Sequence, residues 1–143
     1  MATLEQIKAV IDRASEIGPI ISDEARETPR IHAKLLWLRL AEKNELQTLE
    51  RELERVYLAR WMVYSGKATP EQLKTEPHAS LRILKTDMDI FMSADSTLQA
   101  LVSKIELSKQ KNALLEEGIK MCNSRQFLLK TMLDAKRFEA GLN

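Results

Sequence analysis

From Pro29 to Tyr64 the chain holds no glycine and no further proline, and that stretch constrains the fold more than any other feature. It predicts one long helix, with Thr28 as N-cap, Pro29 in the first turn and Gly66 as the C-terminal stop. Leu46, Leu49, Leu53, Val56, Arg60 and Val63 alternate spacings of three and four, as the seam of a packed helix does. Ile31, Leu35, Leu36, Trp37, Leu38 and Leu40 make a wider apolar face before that seam. The whole chain has only four Gly, four Pro, three Phe and two Tyr. So few turn and strand formers extend the expectation to an all-α fold.

The punctuation divides the chain into four segments. Residues 1–28 read as an N-terminal helix and an acidic link. Thr3 and Gln6 form a capping box, Leu4, Ile7, Ile11 and Ala14 repeat at helical spacing, and Gly18-Pro19 stops the helix before the link from Ser22 to Thr28. Residues 29–66 are the long amphipathic helix. Residues 67–95 are a basic loop with one short turn at Thr69-Pro70-Glu71-Gln72 and an amphipathic stretch from about Leu81 to Met92. Residues 96–143 read as a last helix, opened by a capping box at Ser96 and Gln99 and stopped at Gly141.

That last helix carries two adjacent apolar stripes. One holds Leu98, Leu101, Ile105, Leu115, Ile119, Cys122, Leu129 and Leu133, weakened by Ser108, Asn112 and Gln126; the other holds Leu114, Met121, Leu128 and Met132. Two stripes need partners on two sides. At about 1.5 Å per residue the middle helix reaches about 50 Å and the last one about 60 Å or more. A compact globule of this size is only about 40 Å across. Helices that overhang a monomeric core while staying apolar predict an elongated protomer and a homo-oligomer. Leu115, Ile119, Leu129, Leu133 and Phe138 are the expected oligomerisation residues, placing self-association on the C-terminal helix.

Net charge is +1, from 22 Lys+Arg against 21 Asp+Glu, so any polyanion site must be local. Cys122 is the single cysteine, which excludes an internal disulfide and fits a reducing cytosol. No apolar run approaches the roughly 18 residues of a membrane span, and the N-terminus lacks a signal pattern, so a soluble intracellular chain is expected. The first helix carries only Lys8 and Arg13, too little basic charge for a membrane-surface helix. His32 and His78 are isolated, Asp87, Asp89 and Asp95 lack the spacing of a calcium loop, and no phosphate-binding glycine motif is present. Neither metal nor cofactor is expected, and enzyme is the least favoured class.

One constellation stands out. Tyr57, Arg60, Trp61 and Tyr64 fall at i, i+3, i+4 and i+7 on one helical face, with Lys67 just past the stop. Aromatic faces accept any base by stacking and cations hold phosphates without reading sequence, so the face suits single-stranded nucleic acid. The alternative is that Trp61 and Tyr64 are core or interface residues and that Arg60 snorkels from an apolar seam. Lys67, Lys74, Arg82 and Lys85 against Glu71 and Glu76 leave the loop a modest basic excess. Arg51, Arg55 and other basic residues mix with Glu42, Glu45, Glu50, Glu52 and Glu54 as the expected wet face of the long helix.

The segment Arg60-x-x-x-Tyr64-Ser65-Gly66 with Lys67 after it, Asp95 to Gln99, Ser124-Arg125-Gln126-Phe127 and Phe138-Glu139-Ala140-Gly141 together resemble the UvsY family of T4-type phage recombination mediators. The resemblance covers roughly the C-terminal two-thirds, while the N-terminal third matches only as helix pattern. It implies a helical protein assembling into a ring of six or seven subunits. Such a protein binds single-stranded DNA, contacts the phage single-strand-binding protein and loads a RecA-like recombinase. It also implies no enzymatic activity, no metal, roles in replication and repair, and a place in the cytoplasm of the infected host cell. Arg60 matches one of the family's DNA-binding basic positions, and Leu58 stands where the family has another. Arg55 and Lys67 are the neighbouring cations offered in its place, with Trp61, Tyr64 and Lys74 completing the expected DNA-binding set. The rival reading is a coiled-coil structural adaptor that bridges proteins without touching DNA.

Overall fold

The computed structural model describes residues 1–74 and 83–141. Its elements are α1 (Leu4–Ser15), α2 (Ile21–Tyr64), α3 (Pro70–Leu73), a 3₁₀ turn (Lys85–Asp87), α4 (Met88–Ala94) and α5 (Ser96–Glu139), with no strand among the described residues. The all-α expectation holds. The chain divides into two compact units, residues 1–45 with 108–143 and residues 46–107, so α2 and α5 contribute to both.

In the first unit, Thr3 caps α1 as expected. Its Oγ1 accepts the Gln6 N–H at 3.2 Å, and the Gln6 side chain accepts the Thr3 N–H at 2.9 Å. Ile7, Val10 and Ala14 point from α1 into a core with Ile31, Leu35, Leu115 and Cys122. Ile7, Leu35 and Leu115 are fully buried, each contributing about 1.5–3 kcal/mol against leaving it exposed. Gly118 marks the close approach of three helices. A Cβ there would lie 3.1 Å from Ile11 and 3.3 Å from Leu35. Burial pushes the Cys122 thiol up, consistent with a small packing residue rather than a reactive one.

The start of α2 departs from expectation. The helix begins at Ile21 and carries Pro29 inside it, so residues 22–28 form helical turns rather than an acidic link. An internal proline removes one helical hydrogen bond and costs about 3 kcal/mol. Tertiary bonds hold these turns in place. Thr28 Oγ1 donates to the Glu24 carbonyl at 2.9 Å and accepts from Arg125 Nε at 2.9 Å. The Glu24 carboxylate takes both terminal nitrogens of Arg13, at 3.0 and 3.1 Å, and a short bond from Arg125 Nη2. Arg125 also donates to the carbonyls of Ala14 at 2.7 Å and Glu16 at 2.6 Å, which the end of α1 leaves without helical partners. Its side chain is 1% exposed.

Other polar residues of this unit sit inside rather than on the wet face. Glu42 is buried and accepts from Ser108 Oγ at 2.8 Å and Lys111 Nζ at 3.2 Å. Lys111 in turn donates to the Ala2 carbonyl at 3.1 Å. Ser108 and Asn112, which weaken the apolar series on paper, therefore line the buried seam of α5. The seam continues through Arg125 rather than Gln126, because Arg125 is the one that turns inward.

In the second unit, Tyr64, Met88, Met92 and Leu98 form a small core with Leu53, Val56, Trp61, Ile83 and Phe91 packed against it. α2 ends as expected. Gly66 takes φ +78°, the Gly66 N–H bonds the Val63 carbonyl at 3.2 Å, and the Lys67 N–H reaches back to Met62 at 2.8 Å. This paired closure satisfies two orphan carbonyls and requires a residue tolerant of positive φ. α3 supplies the single turn expected at Pro70. The stretch expected from Leu81 to Met92 becomes a 3₁₀ turn followed by α4, and Leu81 lies outside the described residues.

α5 is capped one residue earlier than expected. Asp95 Oδ1, not Ser96, accepts a helix-start N–H, from Leu98 at 3.0 Å. Gln99 turns away to donate to the Ser93 carbonyl at 3.0 Å instead of closing a capping box. A carboxylate accepts this bond more strongly than a hydroxyl and complements the positive end of the helix dipole.

Candidate functional site

The end of α2 presents Arg60 and Tyr64 to the turn where α4 passes into α5. Arg60 Nε donates to Asp95 Oδ2 at 2.7 Å, and the Tyr64 hydroxyl donates to the same oxygen at 2.6 Å. Arg60 Nη2 also donates to the Tyr64 oxygen at 3.1 Å, and the guanidinium lies 5.1 Å from the Tyr64 ring centroid. The Tyr64 ring packs at 5.8 Å and 48° against Phe91. Asp95 thus receives three donors: Arg60, Tyr64 and the Leu98 N–H.

These contacts set the charges. Burial alone would raise the Asp95 carboxyl, but the bonds from Tyr64, the Leu98 N–H and Arg60 outweigh it and hold it below its ordinary value. Burial, with the Asp95 carboxylate beside it, pushes the Tyr64 hydroxyl up, so it stays a neutral donor. The pair is substantially desolvated: the Arg60 side chain is 17% exposed and that of Asp95 2%.

Two expectations change here. Tyr64 is buried, so its ring is a core face and is not open for stacking on a base. Arg60 is not a free cation on the wet side, because its guanidinium is tied into the Asp95–Tyr64 cluster. Both follow from Asp95, whose buried carboxylate needs donors and finds them 31 and 35 residues back along the chain.

The remaining DNA-binding candidates are placed differently. Trp61 is partly exposed, and the exposed Lys67 sets its ammonium 5.0 Å from the Trp61 ring centroid. Trp61, Ser65, Lys67, Ile83, Lys85, Met88 and Asp89 line a cleft of about 550 Å³. Arg55 projects into solvent, 3.9 Å from Glu52, and Lys74 is exposed. Tyr57, about half exposed, lines a separate cleft with Leu53, Met92, Leu98 and Val102. Arg82, Glu76 and His78 lie outside the described residues. Asp95 and Met88 were missed as site-forming residues. The sequence places a helix start at Ser96, next to Asp95, but nothing local shows that Asp95 caps it or that Arg60 reaches Asp95.

The expected oligomerisation residues also separate. Leu115 and Leu129 are buried inside the first unit, and Ile119 packs against its core, so these three face their own chain. Leu133 and Phe138 are exposed, at 46% and 79%, as are Phe127 and Leu128 of the same helix. Among the described residues no three His, Cys, Asp or Glu side chains gather as a metal site. No helix among them is long and apolar enough to cross a membrane.

With this geometry in place, sequence comparison decides the family. A model described as the recombination, repair and single-stranded-DNA-binding protein UvsY matches residues 6–142. The chain belongs to the UvsY family. That match includes the N-terminal third, where the sequence offers only a helix pattern. Crystal structures of the bacteriophage T4 recombination mediator protein UvsY show the same fold. Lattice type II gives a TM-score of 0.81 at 20% identity, covering 98% of this chain and 99% of that one. Lattice type IV gives 0.81 at 19% identity, covering 96% and 99%. Lattice type I gives 0.78 at 19% identity, covering 93% and 98%. No curated protein sequence matches this chain.

Proposed function

We propose that this chain is a recombination mediator. It binds single-stranded DNA as a homo-oligomer and promotes loading of a RecA-like recombinase onto strands covered by single-strand-binding protein. The observation that carries the reading is the UvsY family match over residues 6–142. The exposed cations Arg55, Lys67 and Lys74 and the partly exposed Trp61 supply local phosphate and base contacts on a chain of net charge +1. Arg60 takes a positioning role beside them, holding Asp95 and through it the start of α5.

Self-association accounts for two further features. Phe127, Leu128, Leu133 and Phe138 leave apolar surface exposed along α5, and such surface favours contact with another chain. One weak DNA site per subunit, repeated in a ring of six or seven, makes later contacts intramolecular and raises affinity about 10²–10⁴-fold. The adaptor reading draws on one observation, that Arg60 and Tyr64 are engaged within the chain.

The test is fluorescence anisotropy of a labelled mixed-sequence single strand at low and moderate salt, followed by recombinase filament assembly on a strand pre-covered with single-strand-binding protein. Tight, salt-sensitive binding with faster filament assembly supports the mediator. An intact oligomer that fails to bind the strand at low salt removes it and leaves the adaptor.

A further inference from the structure

We infer that the cleft beside Trp61 is a base-accepting subsite, taking one unstacked nucleobase of the bound strand while Lys67 and Lys85 hold its phosphates. This rests on the single-stranded-DNA reading above and adds to it the atoms that meet the base.

The cleft has the size and chemistry for that ligand. Its volume of about 550 Å³ falls within the roughly 300–1,000 Å³ of small-molecule sites. Among the described lining residues, the Trp61 ring and the side chains of Ile83 and Met88 supply apolar walls, and Lys67 and Lys85 supply two cations against the carboxylate of Asp89. A flat, apolar-faced group tied to an anion matches this lining, and a nucleotide within a strand is such a group. Asp89 adds an acceptor for a base N–H. The ligand class therefore follows from an aromatic wall and the two lysines occurring together among the described residues.

The site is also pre-arranged. Trp61 packs against the core of Tyr64, Met88, Met92 and Leu98, so its ring is held before any ligand arrives. Met88 is buried in that same core and forms a fixed part of the wall. Lys67 is anchored at its backbone by the closing turn of α2, through the 2.8 Å bond from its N–H to Met62. The walls need little ordering on binding, which favours affinity, and the Lys67 side chain is the part that moves. In the free protein the Lys67 ammonium covers the Trp61 ring as a cation–π contact. An arriving base displaces it by stacking, and the released ammonium stays close enough on its tether to meet the adjoining phosphate. The Arg60–Asp95–Tyr64 cluster supports the wall from behind, since Tyr64 belongs to the core on which Trp61 rests.

The experiment uses the full-length Trp37→Phe chain, which leaves Trp61 as the sole tryptophan of the two. It is titrated with a mixed-sequence strand of about 16 nucleotides and with a strand of equal length built on abasic residues. Trp61 emission and strand anisotropy are read together. The base-bearing strand is expected to quench Trp61 and to bind about 5-fold or more tightly than the abasic one. Trp61→Leu, which keeps apolar packing, is expected to bring the two affinities together while leaving the salt slope unchanged. Equal binding of both strands, or Trp61 emission that is unchanged or responds equally to both, overturns the subsite while leaving single-strand binding intact. Failure of both strands to bind at low salt overturns both readings.

Discussion

Removing the Arg60 guanidinium is expected to destabilise this protein before it says anything about DNA. The Arg60 side chain is 17% exposed and its partner Asp95 2%, so the pair lies within the range where breaking one side costs about 3–5 kcal/mol. Asp95 would keep the Tyr64 hydroxyl and the Leu98 N–H, which sets the loss near the low end, about 3 kcal/mol. For a chain of this length each kcal/mol lowers the melting midpoint by about 2–4 °C, giving about 6–12 °C for Arg60→Met. Lys67→Ala, at an exposed side chain, is expected to shift stability by about 1 kcal/mol or less. The assay is thermal and urea unfolding followed by circular dichroism at fixed protein concentration, with Arg60→Met, Asp95→Asn and the double variant forming a cycle. A coupling energy above about 1 kcal/mol is expected for residues in direct contact. If Arg60→Met melts within about 2 °C of the parent and shows no coupling to Asp95, the positioning role is refuted. Arg60 then returns to the set of phosphate ligands.

Three more outcomes follow from the packing. Arg125→Met removes the donor to Ala14, Glu16, Thr28 and Glu24 and is expected to cost about 3–5 kcal/mol; a urea midpoint equal to the parent's would show that the fastening of α1 does not rest on it. Gly118→Leu drives a side chain into Ile11 and Leu35, with about 1–3 kcal/mol of overpacking expected, and an unchanged midpoint would contradict the close helix approach. Asp95 and Glu24 both sit below their ordinary values of 3.8 and 4.5, so their stabilisation is fully present above those values and is lost as pH falls through the lower folded-state ones. Unfolding free energy is therefore expected to drop as pH falls below about 4.5, and less steeply in Asp95→Asn. Parallel profiles for parent and variant would rule Asp95 out as a contributor.

Some of this was legible in the chain alone. The Thr3 capping box, the stop at Gly66 and the three-and-four spacing of Leu98, Leu101 and Ile105 all rest on neighbours within a few residues. Local chemistry therefore suffices to read them. The resemblance drawn from Arg60 to Gly66, from Asp95 to Gln99 and around Arg125 fell on segments that prove to fasten the fold. Arg60, Tyr64 and Asp95 lock to one another, and Arg125 closes the end of α1.

Other features were hidden for a common reason. Pro29 reads as a helix start, yet α2 runs through it, because Glu24 and Thr28 are held by Arg13 and by Arg125, which lies about a hundred residues away. Glu42 reads as wet face and Leu115 as interface, yet both are buried, because whether a residue on a helix face meets water or another helix depends on where the partner packs. An amphipathic pattern shows which residues want cover and never what covers them. The local alphabet of caps, stops and spacing thus settled that this chain is helical and where most helices begin and end. Only tertiary structure decided which charges are fasteners and which remain available to a ligand, since desolvation and pairing are set by contacts distant in sequence.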